Sequence, residues 1–532
     1  MTIEDFDYIV IGAGSAGCGV AARLSESRHH TVLVLEAGGR DSNPWIHIPI
    51  GFSKTFFDET LNWCFSTEAS SQLHARKLFA PCGKVLGGSS SINGQVYVRG
   101  HRDDFDDWAR AGNSGWGYDD VLPFFRKSED QQRGANHYHG SGGPLSVSDL
   151  VDFSPLGQAF VESGVAGGLD RNDDFNGPSQ EGTGFFQVTV RNGRRASSAA
   201  AFLRDAERRS NVCLKTNAEV ERLMIESGRV TEVRYGRGGE SLVARARRAV
   251  VLCAGALNSP AILQRSGIGR GEWLQAAGIA VRHELPGVGA NLQGHVQARL
   301  ALRSRRHATL NTQTRQPLRL VGMGLKYALF RRGPLTFAGG QCGAFVRSHP
   351  KLDRSDTLLI LMPFSSADYR KGLDEFPGFT ITSCLMRPES RGTVRVRSPA
   401  AKDPPVIQPN YLEAESDRRA MVAGLRAARH VAATKPLRDE IEREERPGLN
   451  VNSDEELLDY IRATATSVYH PAGTCRMGSD ADAVVDSKLR VRGLEGLAVA
   501  DTSIMPTIVT APTNAAAIMI GERAAPFLLT EA

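Results

Sequence analysis

The sequence predicts an α/β fold, and three observations support that prediction. Residues 8–11 form a short buried strand that leads into a glycine-rich turn and a helical stretch, and a second strand follows at 31–35. Two further strand-like runs, 248–254 and 497–500, each end at a turn. This repetition is typical of a parallel sheet covered by helices. The chain of 532 residues is also longer than one hydrophobic core usually holds, which indicates two or more domains.

Composition and charge exclude several classes of protein. Hydrophobic residues make up 41% and charged residues 23% of the chain, a globular balance. The net charge of +5 comes from mixed basic and acidic residues without a basic stripe, so nucleic acid is not expected as a partner. No apolar run reaches the ~18 residues of a transmembrane helix. The acidic start and the eight scattered cysteines without C-x-x-C favour a cytoplasmic protein with free thiols and no metal site.

The first element carries a G-x-G-x-x-G pattern from Gly12 to Gly17. Gly12 permits a sharp turn, Gly14 lets a pyrophosphate approach the backbone, and Gly17 lets the helix pack closely on the strand. Glu36 ends the second strand, where a carboxylate can accept hydrogen bonds from both hydroxyls of an adenosine ribose. The same carboxylate would repel a 2′-phosphate. The pattern predicts a dinucleotide site, but it does not by itself separate FAD from NAD.

A second cluster of small residues spans 83–93 and ends at Asn93. Small residues in a row let the backbone wrap closely around a large planar or charged ligand. Because valine, leucine and isoleucine stand among them, a flexible linker is the weaker interpretation.

Two later strands repeat the strand-and-turn arrangement. After the strand at 248–254, Asn258 or Ser259 is predicted to cap a helix that has Pro260 near its first turn. The strand at 497–500 stops at Asp501, which is well placed to bind a ribityl or ribose hydroxyl.

The chain resembles the glucose–methanol–choline (GMC) family of FAD-dependent oxidoreductases. The resembling segments lie at 12–17, 83–106, 195–203, 253–269, 286–291, 388–392 and 469–514. The resemblance implies a Rossmann-like FAD-binding domain built from 1–155, 191–299 and 461–532, with a sheet-plus-helices substrate domain inserted as 156–190 and 300–460. It implies that FAD is bound by Gly12, Gly14, Ser15, Ala16, Gly17, Glu36, Ala37, Gly87, Gly88, Ser89, Ser90, Asn93, Gly94, Val96, Val220, Ala254, Gly255, Asp501, Thr502 and Asn514.

The catalytic prediction centres on His470, because Pro471 holds it on a constrained turn and imidazole is suited to proton transfer near neutral pH. The matching histidine of the family faces the flavin beside an Asn or a second His, and Asn514 occupies that partner position. The resemblance implies oxidation of an alcohol to an aldehyde or ketone, with His470 as the base, flavin N5 as the hydride acceptor and Asn514 donating to the substrate oxygen. Val468 and Tyr469 are expected in the pocket wall. Surface or structural roles are expected for His101, His137, His139, His295 and His349.

Three positions depart from the family pattern. Ile92 stands where some members carry a histidine that links FAD covalently, so the FAD is expected to be non-covalent. Cys82 stands where the family often has Arg, and Gly294 stands where Asp is common. The change at Gly294 removes a hydrogen-bonding side chain, and the sequence indicates no replacement.

Several alternatives stay open at this point. The chain could be a hydroxynitrile lyase-like member of the family, with FAD but no net redox chemistry, or an NAD-dependent dehydrogenase, against which the Asp501 and 87–93 patterns argue. Oxygen and a quinone are both possible electron acceptors. Choline and aromatic, polyol or aliphatic alcohols are possible substrates, and a cage for a quaternary ammonium is not visible in the sequence. The chain could act as a monomer or a homodimer.

Overall fold

The computed structural model describes residues 3–530. Its strands, in chain order, are β1 (Glu4–Ile11), β2 (Val32–Leu35), β3 (Phe65–Ser66), β4 (Phe79–Ala80), β5 (Glu129–Gln131), β6 (Leu145–Val147), β7 (Gly182–Phe185), β8 (Val190–Arg191), β9 (Arg194–Arg195), β10 (Val212–Lys215), β11 (Glu219–Glu226), β12 (Arg229–Arg237), β13 (Glu240–Leu252), β14 (Ile268–Gly269), β15 (His283–Glu284), β16 (Val296–Ser304), β17 (Cys342–Val346), β18 (Thr357–Met362), β19 (Gly378–Leu385), β20 (Thr393–Arg395), β21 (Val406–Gln408), β22 (Ile441–Arg446), β23 (Thr466–Ser467) and β24 (Leu497–Val499).

Helices connect and cover these strands. In chain order they are α1 (Ser15–Leu24), α2 (Pro44–His47), α3 (Phe52–Thr55), α4 (Arg102–Arg110), α5 (Tyr118–Ser128), α6 (Pro155–Ala166), α7 (Arg204–Ala206), α8 (Gly255–Arg265), α9 (Gly271–Ala276), α10 (Leu310–Gln313), α11 (Pro317–Phe330), α12 (Glu415–Ala433), α13 (Leu437–Glu440), α14 (Asp454–Thr464) and α15 (Asn514–Thr530). None of the helices within residues 3–530 is both long and apolar enough to cross a lipid bilayer.

A sheet with a parallel core forms the centre of one part of the molecule. Its strands lie in the order β10, β2, β1, β13 and β24, and β12 and β11 extend it with antiparallel pairs beyond β13. Ile9, Val34 and Val250 are fully buried, as expected for strands covered on both faces. The α/β fold class predicted from the sequence is confirmed.

Helix α1 packs on this sheet at unusually short distance. A Cβ atom at Gly17 would lie 1.9 Å from the carbonyl oxygen of Gly12, and one at Gly521 of α15 would lie 2.4 Å from that of Ala16. These glycines therefore let α1 touch both β1 and α15. Because α15 begins at Asn514, the contact brings the end of the chain to the glycine-rich turn at its beginning.

A second sheet is antiparallel, with strands in the order β22, β16, β19, β18, β17 and β7, and with β23 beside β16. Alternate side chains of each strand point to opposite faces. On one face Leu300 of β16 packs with Phe160 of α6 and Ala428 of α12. On the other face Arg299 and Thr382 line a cavity. The apolar run at 357–362 predicts a strand, and the apolar positions on one side of 417–433 predict a helix. The structure has β18 and α12 at these places.

The antiparallel sheet draws its strands from several distant segments. β7 lies within the segment 156–190 and most other strands lie within 300–460. However, β16 begins at Val296, and β23 belongs to the segment 461–532. The domain boundaries given above stay predictions.

Candidate active site

A cavity of about 1410 Å³ lies between the two sheets. The sequence-predicted residues that line it are Gly12, Gly14, Ser15, Ala16, Glu36, Ala37, Gly88, Ser89, Asn93, Gly94, Val96, Val220, Ala254, Gly255, Val468, Tyr469, His470, Asp501, Thr502 and Asn514. Three predicted contact residues do not line it, and they are Gly17, Gly87 and Ser90.

Those three residues support the cavity wall from behind. Gly17 makes the close helix packing described above. The hydroxyl of Ser90 donates to the carbonyl oxygen of Gly87 at 2.6 Å and accepts the backbone N–H of Ser198 at 2.9 Å. These contacts fix the turn of the second small-residue cluster, so we interpret the three residues as positioning the wall rather than touching a ligand.

The start of α1 offers an open cradle to a phosphate group. Gly14 is the N-cap residue, and no side chain caps the helix there. A Cβ atom at Gly14 would meet nothing closer than the carbonyl oxygen of Cys253 at 3.9 Å, whereas one at Gly88 would lie 2.7 Å from the Cα of Gly14. Two backbone segments thus meet beside free space at a helix N-terminus, where uncapped N–H groups favour an anion. This arrangement fits the pyrophosphate of a dinucleotide.

Glu36 is held rigidly beside this cradle. Its carboxylate accepts the backbone N–H of Ala13 at 2.8 Å and that of Gly38 at 2.9 Å. Burial raises the pKa of Glu36 to about 7, against the lowering effect of these two hydrogen bonds. Each carboxylate oxygen keeps a second lone pair, so the group can still accept from ribose hydroxyls.

Asp501, although distant in sequence, caps the N-terminus of α8. Its carboxylate accepts the backbone N–H of Gly255 at 2.8 Å and the hydroxyl of Ser259 at 2.6 Å. Burial raises its pKa above the ordinary value. The sequence-based expectation that Asn258 or Ser259 caps this helix is wrong: α8 begins at Gly255 and Pro260 lies inside it. The physical reason is that Asp501 supplies the acceptor that a local N-cap would otherwise provide.

His470 and Asn514 both line the cavity. The hydroxyl of Ser15, in the first turn of α1, donates to the Oδ1 atom of Asn514 at 2.7 Å. This bond orients the amide and leaves its NH₂ group as a donor in the cavity that Asn514 lines. The lining of the cavity therefore contains both an imidazole ring and an amide donor.

His295 lies directly behind His470. From the sequence, only a surface or structural role is expected for His295. It is fully buried, its Nε2 lies 3.1 Å from the carbonyl oxygen of Met386, and its Nδ1 lies 3.0 Å from the Nδ1 of His470. A carbonyl oxygen only accepts, so Nε2 of His295 carries the proton and its Nδ1 accepts. His470 must then donate from Nδ1, which leaves its Nε2 unprotonated.

Burial keeps both imidazoles neutral near pH 7. It lowers the pKa of His470 to about 4. Burial and the neighbouring His470 lower the pKa of His295 well below its usual value. A neutral histidine with a bare Nε2 can accept a proton from a bound molecule.

The far wall of the cavity carries positive charge. The guanidinium of Arg299 lies 4.3 Å from the ring centroid of Tyr369 and donates to the hydroxyl of Thr466 at 3.3 Å. The guanidinium of Arg370 lies 5.0 Å from the ring centroid of Phe79. Sequence reasoning missed these arginines, because their place depends on the alternation of β16 and on a distant loop.

A tyrosine occupies the space beside Gly294. A Cβ atom at Gly294 would lie 2.7 Å from the hydroxyl oxygen of Tyr411. That hydroxyl donates to the Oγ of Ser467 at 3.2 Å, and the same Oγ accepts the backbone N–H of Tyr469 at 2.8 Å. Tyr411 therefore connects the position of Gly294 to the loop that carries His470. Its side chain takes the place of the side chain that the family pattern predicts at position 294.

The other two departures lie in apolar surroundings. Ile92 is buried with Ile46, Leu61 and Val85, and it lines the cavity without offering a nucleophile. Cys82 lies against a small apolar cluster, and burial raises the pKa of its thiol to about 12.

His139 is buried between Glu129 and Asp174, as expected of a structural histidine; its hydrogen bonds measure 3.0 and 2.9 Å.

Comparison with known families agrees with this geometry. Residues 6–297 and 388–521 match the two family models described as GMC oxidoreductase. The chain belongs to the GMC oxidoreductase family. It is therefore an FAD-dependent oxidoreductase that acts on CH–OH donors.

Relatives of known name resemble the chain over nearly its whole length. It is 40% identical over 528 residues to an alcohol dehydrogenase (acceptor) from Pseudomonas putida, with 98% of this chain and 96% of the relative covered. It is 40% identical over 531 residues to an oxygen-dependent choline dehydrogenase from Vibrio vulnificus (strain YJ016), with 99% and 94% covered. The crystal structure of pyridoxine 4-oxidase from Mesorbium loti superposes with a TM-score of 0.89 at 32% identity, covering 98% of each chain.

Proposed function

We propose that this chain oxidises an uncharged alcohol to the aldehyde or ketone, with His470 as the catalytic base and FAD bound without a covalent link. The observation that carries the proposal is the pair of imidazoles. The bond from His470 to His295 holds the proton on Nδ1 of His470 and leaves Nε2 free in a cavity wall. We propose that this nitrogen receives the hydroxyl proton of an alcohol.

The residues divide the chemistry as follows. When bound, FAD supplies the acceptor for the hydride that leaves the alcohol carbon. His470 takes the hydroxyl proton at Nε2, and the amide NH₂ of Asn514 donates to the substrate oxygen as negative charge develops there. Ser15 keeps that amide oriented by its 2.7 Å hydrogen bond.

The cofactor is proposed to lie along the wall of predicted contact residues. The cradle at Gly14 would hold the pyrophosphate, Glu36 would accept from the ribose hydroxyls, and Asp501 would accept from the sugar-alcohol chain. Ile92 supports a non-covalent link, because an alkyl side chain cannot form a bond to the flavin. Acid precipitation should release the yellow colour into the supernatant, and colour retained in the washed pellet would contradict this proposal.

Charge in the cavity supports an uncharged substrate over choline. Arg299 and Arg370 place two guanidinium groups against the aromatic rings of Tyr369 and Phe79. A quaternary ammonium is recognised by aromatic faces, but here guanidinium groups already lie over these rings. One relative is named a choline dehydrogenase and another an alcohol dehydrogenase. The arginines favour an alcohol without a positive charge as the substrate. Oxygen and a quinone are both proposed as acceptors, and peroxide formation in air would identify the first.

The decisive experiment is an anaerobic mixing of the purified FAD enzyme with a panel of alcohols. We expect bleaching of the flavin by at least one uncharged alcohol. The variant His470→Asn should keep its FAD while reduction slows by ~10²–10⁴-fold. His74→Asn, at an exposed site, is the matched control and should behave as wild type. A flavin that no alcohol bleaches, in an enzyme that cleaves cyanohydrins, would replace oxidation by the lyase alternative.

A further inference from the structure

Helix α11 presents apolar side chains to solvent. Leu318 is 89% exposed, Val321 61%, Leu325 57% and Leu329 70%. Their spacing of three and four residues places them on one face of the helix. Single exposed leucines are ordinary on protein surfaces, but a continuous stripe of four is a feature of surfaces that contact something else.

The opposite side of α11 attaches it to the protein. Tyr327 is buried, and its hydroxyl donates to the carbonyl oxygen of Gly193 at 3.0 Å. A surface helix usually turns its apolar stripe toward the core and its polar side toward water. In α11 these four apolar side chains face water instead, so packing within this chain does not explain the stripe.

The same segment is strongly basic. Residues 315–332 contain Arg315, Arg319, Lys326, Arg331 and Arg332, and they contain no Asp or Glu. Two of these cations approach carboxylates from elsewhere in the chain, the exposed Glu375 at 3.7 Å and the partly buried Asp152 at 4.0 Å. Exposed pairs at such distances are weak, so the segment keeps a positive surface around its apolar stripe.

We propose that α11 binds the surface of a membrane that contains anionic phospholipid. Leu318, Val321, Leu325 and Leu329 enter the boundary between headgroups and acyl chains, and the basic residues contact the phosphates. An apolar stripe flanked by Lys and Arg is the pattern of helices that lie in the plane of a membrane interface. A second copy of the chain is the weaker occupant, because a symmetric contact would bring two basic segments together.

Two residues that line the cavity are close in sequence to α11. Leu310 and Thr314 line the cavity, and α11 begins at Pro317. Binding of α11 to lipid therefore holds one rim of the cavity near the membrane. The proposal does not depend on which alcohol the enzyme oxidises.

Vesicle flotation of the full-length FAD-loaded protein tests the proposal. The vesicles contain phosphatidylcholine alone, or equal parts of phosphatidylcholine and phosphatidylglycerol. We expect wild type to float with the mixed vesicles. The double variant Leu325→Glu/Leu329→Glu should lose about tenfold or more in binding. The double variant Arg319→Gln/Lys326→Gln should lose roughly fivefold for each charge removed, on the mixed vesicles only.

Leu449→Glu is the matched control, because Leu449 is 76% exposed at a site far along the chain from α11. It should float as wild type does. Equal flavin content and circular dichroism in all variants show that they fold. The proposal is overturned if wild type stays with the protein fraction below the mixed vesicles, or if Leu449→Glu weakens binding as much as the α11 variant. It is also overturned if sedimentation velocity shows a dimer that Leu325→Glu/Leu329→Glu dissociates, while wild type ignores vesicles.

Discussion

At the scale of single residues, the proposed chemistry depends on the two imidazoles. His470 accepts a proton only in its neutral form, and burial lowers its pKa to about 4 from the ordinary 6.5. We expect the rate of anaerobic flavin reduction to stay level from pH 8 to pH 6, since the imidazole is neutral throughout, and to fall toward pH 4 as it gains a proton. Stopped-flow measurements across this range check the prediction. A decline centred near the ordinary histidine pKa would contradict it.

In the proposed mechanism, His295 is a positioning residue that acts through His470. Replacing it in His295→Phe removes the acceptor for the Nδ1 proton, so His470 can hold its proton on Nε2 and lose its function as a base. We expect kcat to fall about tenfold or more with KM and FAD content little changed. His295→Gln keeps an oxygen that can accept from His470 and should restore part of the rate. Equal losses in both variants would indicate a purely structural role.

Gly294 and Tyr411 should be energetically coupled. The Cβ of Gly294→Ala would lie 2.7 Å from the tyrosine hydroxyl oxygen, so this variant should unfold at lower temperature. In the Tyr411→Phe background that oxygen is gone, and the same alanine should cost less. Thermal unfolding of the four proteins in this cycle measures the coupling. Additive effects would show that the hydroxyl does not fill the space.

The sequence predicts some site residues and misses others for a physical reason. His470 and Asn514 stand in short local patterns, where proline and a helix start fix the backbone. His295, Arg299 and Tyr411 reach the site through strand register and packing between segments that are 56 to 175 residues apart in sequence. No local pattern carries that information, so an unremarkable histidine proved to be the neighbour of His470.

At the scale of elements, the closeness of α1 to β1 controls the cofactor site. Gly17→Ala would place a methyl group 1.9 Å from the carbonyl oxygen of Gly12 and force the helix away from the strand. We expect a lower melting temperature and a reduced FAD content in the purified protein. Gly322→Ala, in α11, meets nothing within 4 Å and is the matched control. It should match or slightly exceed wild type in stability, because alanine favours a helix.

Element boundaries follow from sequence where the signal is local. β18 coincides with its predicted span, because a run of six apolar or β-branched residues is read directly. The start of α8 was misplaced, because its capping acceptor is Asp501. Propensities describe neighbours along the chain and therefore miss a cap supplied by a remote strand.

At the scale of the whole molecule, the charge of the cavity should select substrates. Choline and 3,3-dimethylbutan-1-ol have the same shape and differ in one positive charge. Because Arg299 and Arg370 repel that charge, we expect kcat/KM for the neutral alcohol to exceed that for choline by about tenfold or more. Steady-state or stopped-flow kinetics with both compounds give the ratio. A preference for choline would overturn the assignment of an uncharged substrate.

The fold class was predictable, whereas the second sheet was only partly so. Strands followed by glycine turns and helices indicate a parallel sheet, because each unit is continuous in sequence. The antiparallel sheet pairs β7 with β17, and β16 with both β19 and β22, across long intervening segments. Such pairings depend on the packing of the whole chain. The alternation of apolar and polar residues within each segment therefore predicts the strands but not their order in the sheet.

The walls of the cavity come from the first turn of the chain and from its last helix, with Ser15 bonded to Asn514. A polypeptide still emerging from the ribosome without its final segments has the glycine turn but lacks the wall that carries His470 and Asn514. The complete cavity forms only after the segments that carry His470 and Asn514 have been synthesised. Bound FAD then stabilises both termini together by mass action, so yellow colour in a preparation reports chains that have finished folding.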